Sequence, residues 1–229
     1  MILAINSSTS QFGIALMKEL GAVSAEYLIS PGDRNFMEFM PALQSLLASS
    51  GITPKDLTAV VTATGPGSFT GLRVGLAAAK GIVHGLSIPL IGVSSLEAMA
   101  NQIHHISYPL CTMISSRKGE VFAALFHWND NQGIVRDSED MSLRLKELSS
   151  IIDYPTLFLG NDFKSQGGFI KDFFDNKAIL APPHFWVLRA SAVGALGLKR
   201  FKDKDFDDIR DLAPRYLRPP DIRPNPYHS

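Results

Sequence analysis

Three short apolar runs, a helical stretch, a strand, a helix, a strand and a helix follow one another, and the same order then recurs within 229 residues. The first round places strands at 2–6, 12–17 and 23–29, each rich in Ile, Val, Leu or aromatic residues and separated by Ser, Gly or Lys-Glu. A helix is predicted over 34–49, where Phe36, Phe39, Met40, Leu43, Leu46 and Leu47 share one face. Pro41 inside it implies a kink or a late start, and Gly51 ends it. A strand at 57–64 without polar alternation suits a buried parallel position. A helix at 71–85 and a strand at 90–93 follow, then a short helix to about 103 opened by a capping box of Ser94 and Glu97. The second round predicts strands at 110–115, 120–128 and 134–136, a helix at 143–152, a strand at 156–159, a helix at 165–174, a strand at 178–180 and a last helix at 191–202.

Three antiparallel strands extended by parallel ones with crossover helices describe a ribonuclease-H-like α/β unit. Two such units in tandem make an actin-like (ASKHA) architecture, whose ligands sit between the lobes. The expected lobes are 1–107 and 108–229, the second reduced, with the last helix free to pack back on the first. Residues 212–229 contain five prolines and read as extended strapping or disorder.

The 22 Lys and Arg balance 22 Asp and Glu, which argues against unaided binding of nucleic acid, where clustered cations dominate. Cys111 stands alone, so neither an internal disulfide nor a thiolate metal cage is expected. With no cationic leader before a long apolar segment and no span of about 20 apolar residues, a cytoplasmic protein is expected. Only 11 of the 44 charged side chains lie in residues 1–110. Either that half has a large interior, or part of its surface is covered by another chain, since charge is depleted at interface cores.

The strongest local motif is Gly65-Pro66-Gly67-Ser68-Phe69-Thr70-Gly71-Leu72-Arg73, between a strand and a helix. It fits an anion site at a helix N-terminus or a tight strand-to-helix turn, and it lacks the Lys-Ser or Lys-Thr of a P-loop. The helix beyond it is apolar on nearly all sides, with Leu72, Leu76, Ala79 and Val83 on one stripe and Val74, Gly75, Ala78, Gly81 and Ile82 on another. Such a helix is buried within its own domain, or it lies between its sheet and a partner helix. The hairpin Asn6-Ser7-Ser8-Thr9-Ser10 and the turn Ser115-Ser116-Arg117-Lys118-Gly119 occupy the two phosphate-loop positions of an actin-like ATPase, yet neither carries the carboxylate such an enzyme needs. The six histidines form no i, i+4 pair on a predicted helix, Ser68 lies in no nucleophile elbow, and Cys111 reads as core.

The blocks ILAINSST, GPGSFTGLRVGLAAAKGI, IPLIGVSSLEAMA, SSRKGEVFAALF and LAPRYLRP resemble the TsaB (YeaZ) family. The resemblance implies a non-catalytic partner of the TsaD enzyme in making threonylcarbamoyladenosine beside the tRNA anticodon, with the ATPase TsaE joining the complex. No cofactor or metal and only indirect contact with tRNA are expected, and without the partner the same apolar face is expected to close on a second copy as a homodimer. Departures from the family are Asn6 where Asp is common, Ser115-Ser116-Arg117 where Asp-Ala-Arg is common, and Arg34-Asn35-Phe36-Met37-Glu38 for an Arg-x-His-Ser-Glu stretch. The helix 34–49 also lacks the two metal-binding histidines of the catalytic relative. By this analogy Met37, Leu72, Leu76 and Val83 are expected as apolar contacts to a TsaD-like subunit and Arg73 and Lys80 as edge contacts, with Leu76→Glu abolishing the pairing. Asn6, Ser7 and Ser115 are expected as degenerate phosphate-loop positions. The rivals are an actin-like ATPase or sugar kinase working in the interlobe cleft, and a protein that binds tRNA directly.

Overall fold

The computed structural model describes residues 1–29 and 37–219. Its first sheet contains β1 (Ile2–Asn6), β2 (Phe12–Met17), β3 (Val23–Ile29), β4 (Ala59–Gly65) and β5 (Leu90–Ser94), in the order β3-β2-β1-β4-β5. β1 runs antiparallel to β2 and parallel to β4, so a three-stranded meander is extended by crossover strands. Helix α1 (Phe39–Ser49) precedes β4, α2 (Phe69–Leu86) joins β4 to β5, and α3 (Ser95–Ala100) follows β5.

Side chains alternate between two covered faces. Leu3, Ile5, Ile14 and Leu16 meet Phe39, Leu43, Leu46 and Leu47 of α1 and Leu76 and Val83 of α2 in one cluster. Ile2, Met17 and Val61 face the other way, into a cluster shared with α3 and the second lobe. Both faces of β1 and β2 are therefore buried along their whole length, and the alternation is hidden in a continuous apolar run.

The second sheet holds β6 (Leu110–Ser115), β7 (Glu120–Asn129), β8 (Gly133–Arg136), β9 (Met141–Arg144), β10 (Thr156–Leu159) and β11 (Ala178–Leu180), in the order β11-β10-β6-β7-β8 with β9 also on β7. Helix α4 (Phe163–Phe174) links β10 to β11. The final helix α5 (Ala190–Lys202) lies against β1, β2, β4 and β5, so the C-terminal helix covers the N-terminal sheet.

Two expectations need correction. Residues 143–152 form no α-helix: β8 pairs with only the far end of β7, from Phe126 to Asn129, which leaves Glu120 to Ala123 to be paired by β9. Met141 and Leu143 pack inward and Ser142 and Arg144 outward, at strand spacing, before a 3-10 turn at Leu145–Ser150. The capping box on α3 is half formed. Ser94 Oγ accepts from Glu97 N at 3.4 Å, but the Glu97 carboxylate faces Arg136 at 3.5 Å and the helix ends at Ala100. The late start that Pro41 implies is seen in α1, which begins at Phe39 and so holds Pro41 in its first turn, where no backbone N–H is needed; the residue from which it was expected, Arg34, lies outside the described residues.

Candidate functional site

A cleft of about 930 Å³ opens between the lobes, lined by residues 8–11, 67–69, 114–117, 161–163 and 215–219 among others. Each wall of the cleft is held by internal bonding. Asn6 is wholly buried; its Nδ2 donates to Leu188 O at 2.7 Å, and its Oδ1 accepts from Ser8 N at 3.1 Å and Ser8 Oγ at 2.8 Å. The amide thus holds the first hairpin in shape and is turned away from the cleft space. A carboxylate could not make the bond to Leu188, because it has no donor. Ser7 faces α2 and does not line the cleft, whereas Ser115 does. Ser115 N donates to Asn161 Oδ1 at 2.8 Å, and Gln166 Nε2 donates to its hydroxyl at 3.2 Å. Asp162, a carboxylate on the lining, accepts from Ser165 N at 3.1 Å as the N-cap of α4, and hydrogen bonds from the Ser165 hydroxyl and backbone hold it below the usual carboxylate range. Cys111 is buried in β6, and burial pushes its thiol pKa up. No group of three or more His, Cys, Asp and Glu that could hold a metal occurs among the described residues.

The glycine motif resolves into a tight turn packed on the first hairpin. A Cβ on Gly71 would fall 2.0 Å from the Ser7 carbonyl oxygen, and one on Gly75 would fall 1.9 Å from Ser7 Oγ. The Ser7 backbone leaves no room for a side chain at Gly71, and the buried Ser7 side chain fills the space beside Gly75. Ser68 N donates to Ser8 O at 2.7 Å, and Ser68 Oγ accepts from Gly71 N at 3.2 Å, so the start of α2 is already capped from within.

The C-terminal segment, expected only as strapping or disorder, forms a further wall. Arg215 N donates to Thr64 O at 2.7 Å. Tyr216 stacks on Phe69 with centroids 4.7 Å apart, and its hydroxyl accepts from Arg73 Nε at 2.8 Å. Arg73 also lies 3.8 Å above the Phe69 ring. Two arginines flanking an aromatic residue, inside a proline-bounded run, were the visible signal for this wall.

A second surface lies outside the cleft, on α1 and α2. Leu72, Leu76 and Val83 are buried in the chain's own interior at 0%, 4% and 3% exposure, so the expectation that they face a partner is corrected. That stripe points at the sheet. Lys80 is half-buried, and its charge is felt by Asp208, which Arg210 holds down to about 2. Met37 at 75% exposure and Arg73 do lie on the surface. The outward residues of α1 include Met40, Pro41, Gln44, Ser45 and Ala48, and those of α2 include Ala77, Gly81 and Gly85. A Cβ on Gly81 or Gly85 would meet nothing within 4 Å. These two helices, packed on the same side of the first sheet, present apolar, amide and small side chains with little charge, which accounts for part of the charge depletion in residues 1–110.

Two lobes, each with a meander extended by parallel strands and with a cleft between them, define an actin-like protein of the ASKHA class. Within that class the chain belongs to the TsaB (YeaZ) family. It is 34% identical over 219 residues to the tRNA threonylcarbamoyladenosine biosynthesis protein TsaB of Bacillus subtilis (strain 168), covering 95% of this chain and 93% of that relative. It is also 34% identical over 132 residues to the TsaB of Escherichia coli (strain K12), covering 57% of this chain and 56% of that one. A family profile described as "TsaD: tRNA N6-adenosine threonylcarbamoyltransferase" matches residues 34–147. YeaZ from Pseudomonas aeruginosa superposes with a TM-score of 0.79 at 18% identity, covering 94% of this chain and 99% of that one. No helix among the described residues is long and apolar enough to cross a membrane.

Proposed function

We propose that this chain is the non-catalytic partner subunit in tRNA threonylcarbamoyladenosine biosynthesis. It pairs with a TsaD-type enzyme through the outer faces of α1 and α2, and a TsaE-type ATPase joins the assembled pair. The observation that carries this reading is the charge-poor outer surface of those two helices, from Met40 to Ala48 and from Ala77 to Gly85. Small outward residues let a second helix approach closely, and low charge keeps the desolvation cost of that approach down. Met37 and Arg73 sit at the margins as an apolar anchor and a stacked guanidinium. Contact with tRNA through the partner suits a chain of zero net formal charge. Without the enzyme, the same face closes on a second copy as a homodimer.

A non-catalytic role is supported by the cleft's chemistry. Asn6 is committed to Leu188 and Ser8, and Asp162 to capping α4, so these two groups are engaged in structure. The test uses Gly81→Glu and Ala77→Glu, whose side chains would stand on the open face of α2. Co-purification with the TsaD of the same host and modification of tRNA by the reconstituted system are expected to fall at least tenfold, with the thermal midpoint of the isolated chain within about 3 °C of wild type. Full pairing by both variants would overturn the assignment of this face. Leu76→Glu cannot serve here, because it would bury a carboxylate in the chain's own core.

A further inference from the structure

We infer that residues 212–218 act as an intramolecular latch that ties the two lobes together across the cleft and fixes its width. The segment is anchored alternately to the two lobes. Leu212 joins the apolar cluster between the first sheet and its helices α1 and α2. The Arg215 backbone is bonded to Thr64 at the end of β4, while its side chain reaches into the second lobe, 3.4 Å from Asp140 and 3.6 Å from Glu139. Tyr216 returns to Phe69 and Arg73 at the start of α2. Arg218 pairs with Glu120 at the start of β7. One short stretch therefore crosses between the lobes several times, and residues 215–219 line the cleft it bounds.

Asp140 is the keystone. Its side chain has 0% exposure and lies between two guanidiniums, Arg136 at 2.7 Å and Arg215 at 3.4 Å. Its Oδ2 has no hydrogen-bond partner, so the Arg215 charge is the compensation on that side. Arg136 continues the network to Ser94 Oγ at 3.1 Å and Glu97 at 3.5 Å, in the first lobe. A buried carboxylate stripped of a cation is strongly disfavoured. Withdrawal of Arg215 therefore requires Asp140 to gain another cation or water, and the latch and the cleft open together. This proposal stands apart from the pairing with TsaD, and its readout needs no partner.

The experiment is amide hydrogen exchange on the full chain, with wild type, Asp140→Asn and Glu120→Gln compared at one pH. In wild type the Arg215 amide is expected to be protected. Asp140→Asn is expected to speed its exchange at least tenfold, and Glu120→Gln to speed it several-fold, while core amides such as Leu3 and Val61 keep their wild-type rates. Trypsin cleavage after Arg215 should rise in parallel. An unprotected Arg215 amide in wild type, or unchanged exchange in the variants, would overturn the latch. So would equal acceleration of the core amides, which would mean general destabilisation. If Asp140→Asn does not fold, Glu120→Gln decides by the same criteria.

Discussion

Asn6 shows how one side chain decides what a loop can do. Its amide donates to Leu188 and accepts from Ser8 at the same time, fully buried, so both halves of the group are used. Asn6→Asp would set a carboxylate oxygen against the Leu188 carbonyl and lose the donor. Burial and that repulsion would raise the folded-state pKa of the introduced acid, so the penalty is smallest below about pH 4 and grows as pH rises. Urea unfolding should show a loss of at least about 2 kcal/mol at pH 7.5 that is largely recovered at pH 4. Asp162 behaves oppositely. Its hydrogen bonds to Ser165 lower its pKa, so its contribution as the α4 cap is present above the unfolded value near 4 and fades as pH falls through the lower folded value. Asp162→Ala is expected to cost about 1 kcal/mol at pH 7, and the gap to wild type should narrow below pH 4 in the same assay.

At the scale of elements, α2 separates its glycines by task. Gly71 and Gly75 let the helix touch the first hairpin, whereas Gly81 stands over open space. Gly71→Ala, which would drive a methyl into the Ser7 carbonyl, should lower stability by more than about 2 kcal/mol. Gly81→Ala should raise the stability of the isolated chain by about 0.5–1 kcal/mol, because it removes backbone freedom at an exposed helix position. Denaturant midpoints of both variants check the pair. Much of this element was legible in the sequence: an all-round apolar helix flanked by glycines must be enclosed or nearly so. Which stripe faced inward was not legible, because Leu72-Leu76-Val83 and Val74-Ala78-Ile82 are equally apolar and only the position of β1 and β4 chooses between them. For the same reason 143–152 was misread, since the open edge of β7 that recruits β9 is a property of the neighbouring strand. Met141 and Leu143 belong to a period of two, and Leu145 and Leu148 to a turn. Run together, they imitate a helix.

Across the whole molecule the two-lobe plan could be read from the order of elements, because each meander and its crossovers leave a recurring signature in chain order. The candidate surfaces were only partly visible. The glycine motif marked where hairpin and helix meet, and the neutral stretches of residues 1–110 marked a face with little charge. The C-terminal wall of the cleft depends on Glu120, Asp140 and Thr64, three positions scattered through the chain that nothing local joins to Arg215 and Arg218.

The return of α5 to the first sheet has a consequence for biosynthesis. The N-terminal half leaves the ribosome with one side of β1 and β2 bare and that of β4 covered only in part by α3, and the helix that shields them is translated more than a hundred residues later. Folding of the leading lobe cannot finish during translation of that lobe alone. Nascent chains stalled before residue 190 should remain sticky and protease-sensitive, and acquire resistance only once the final helix has emerged.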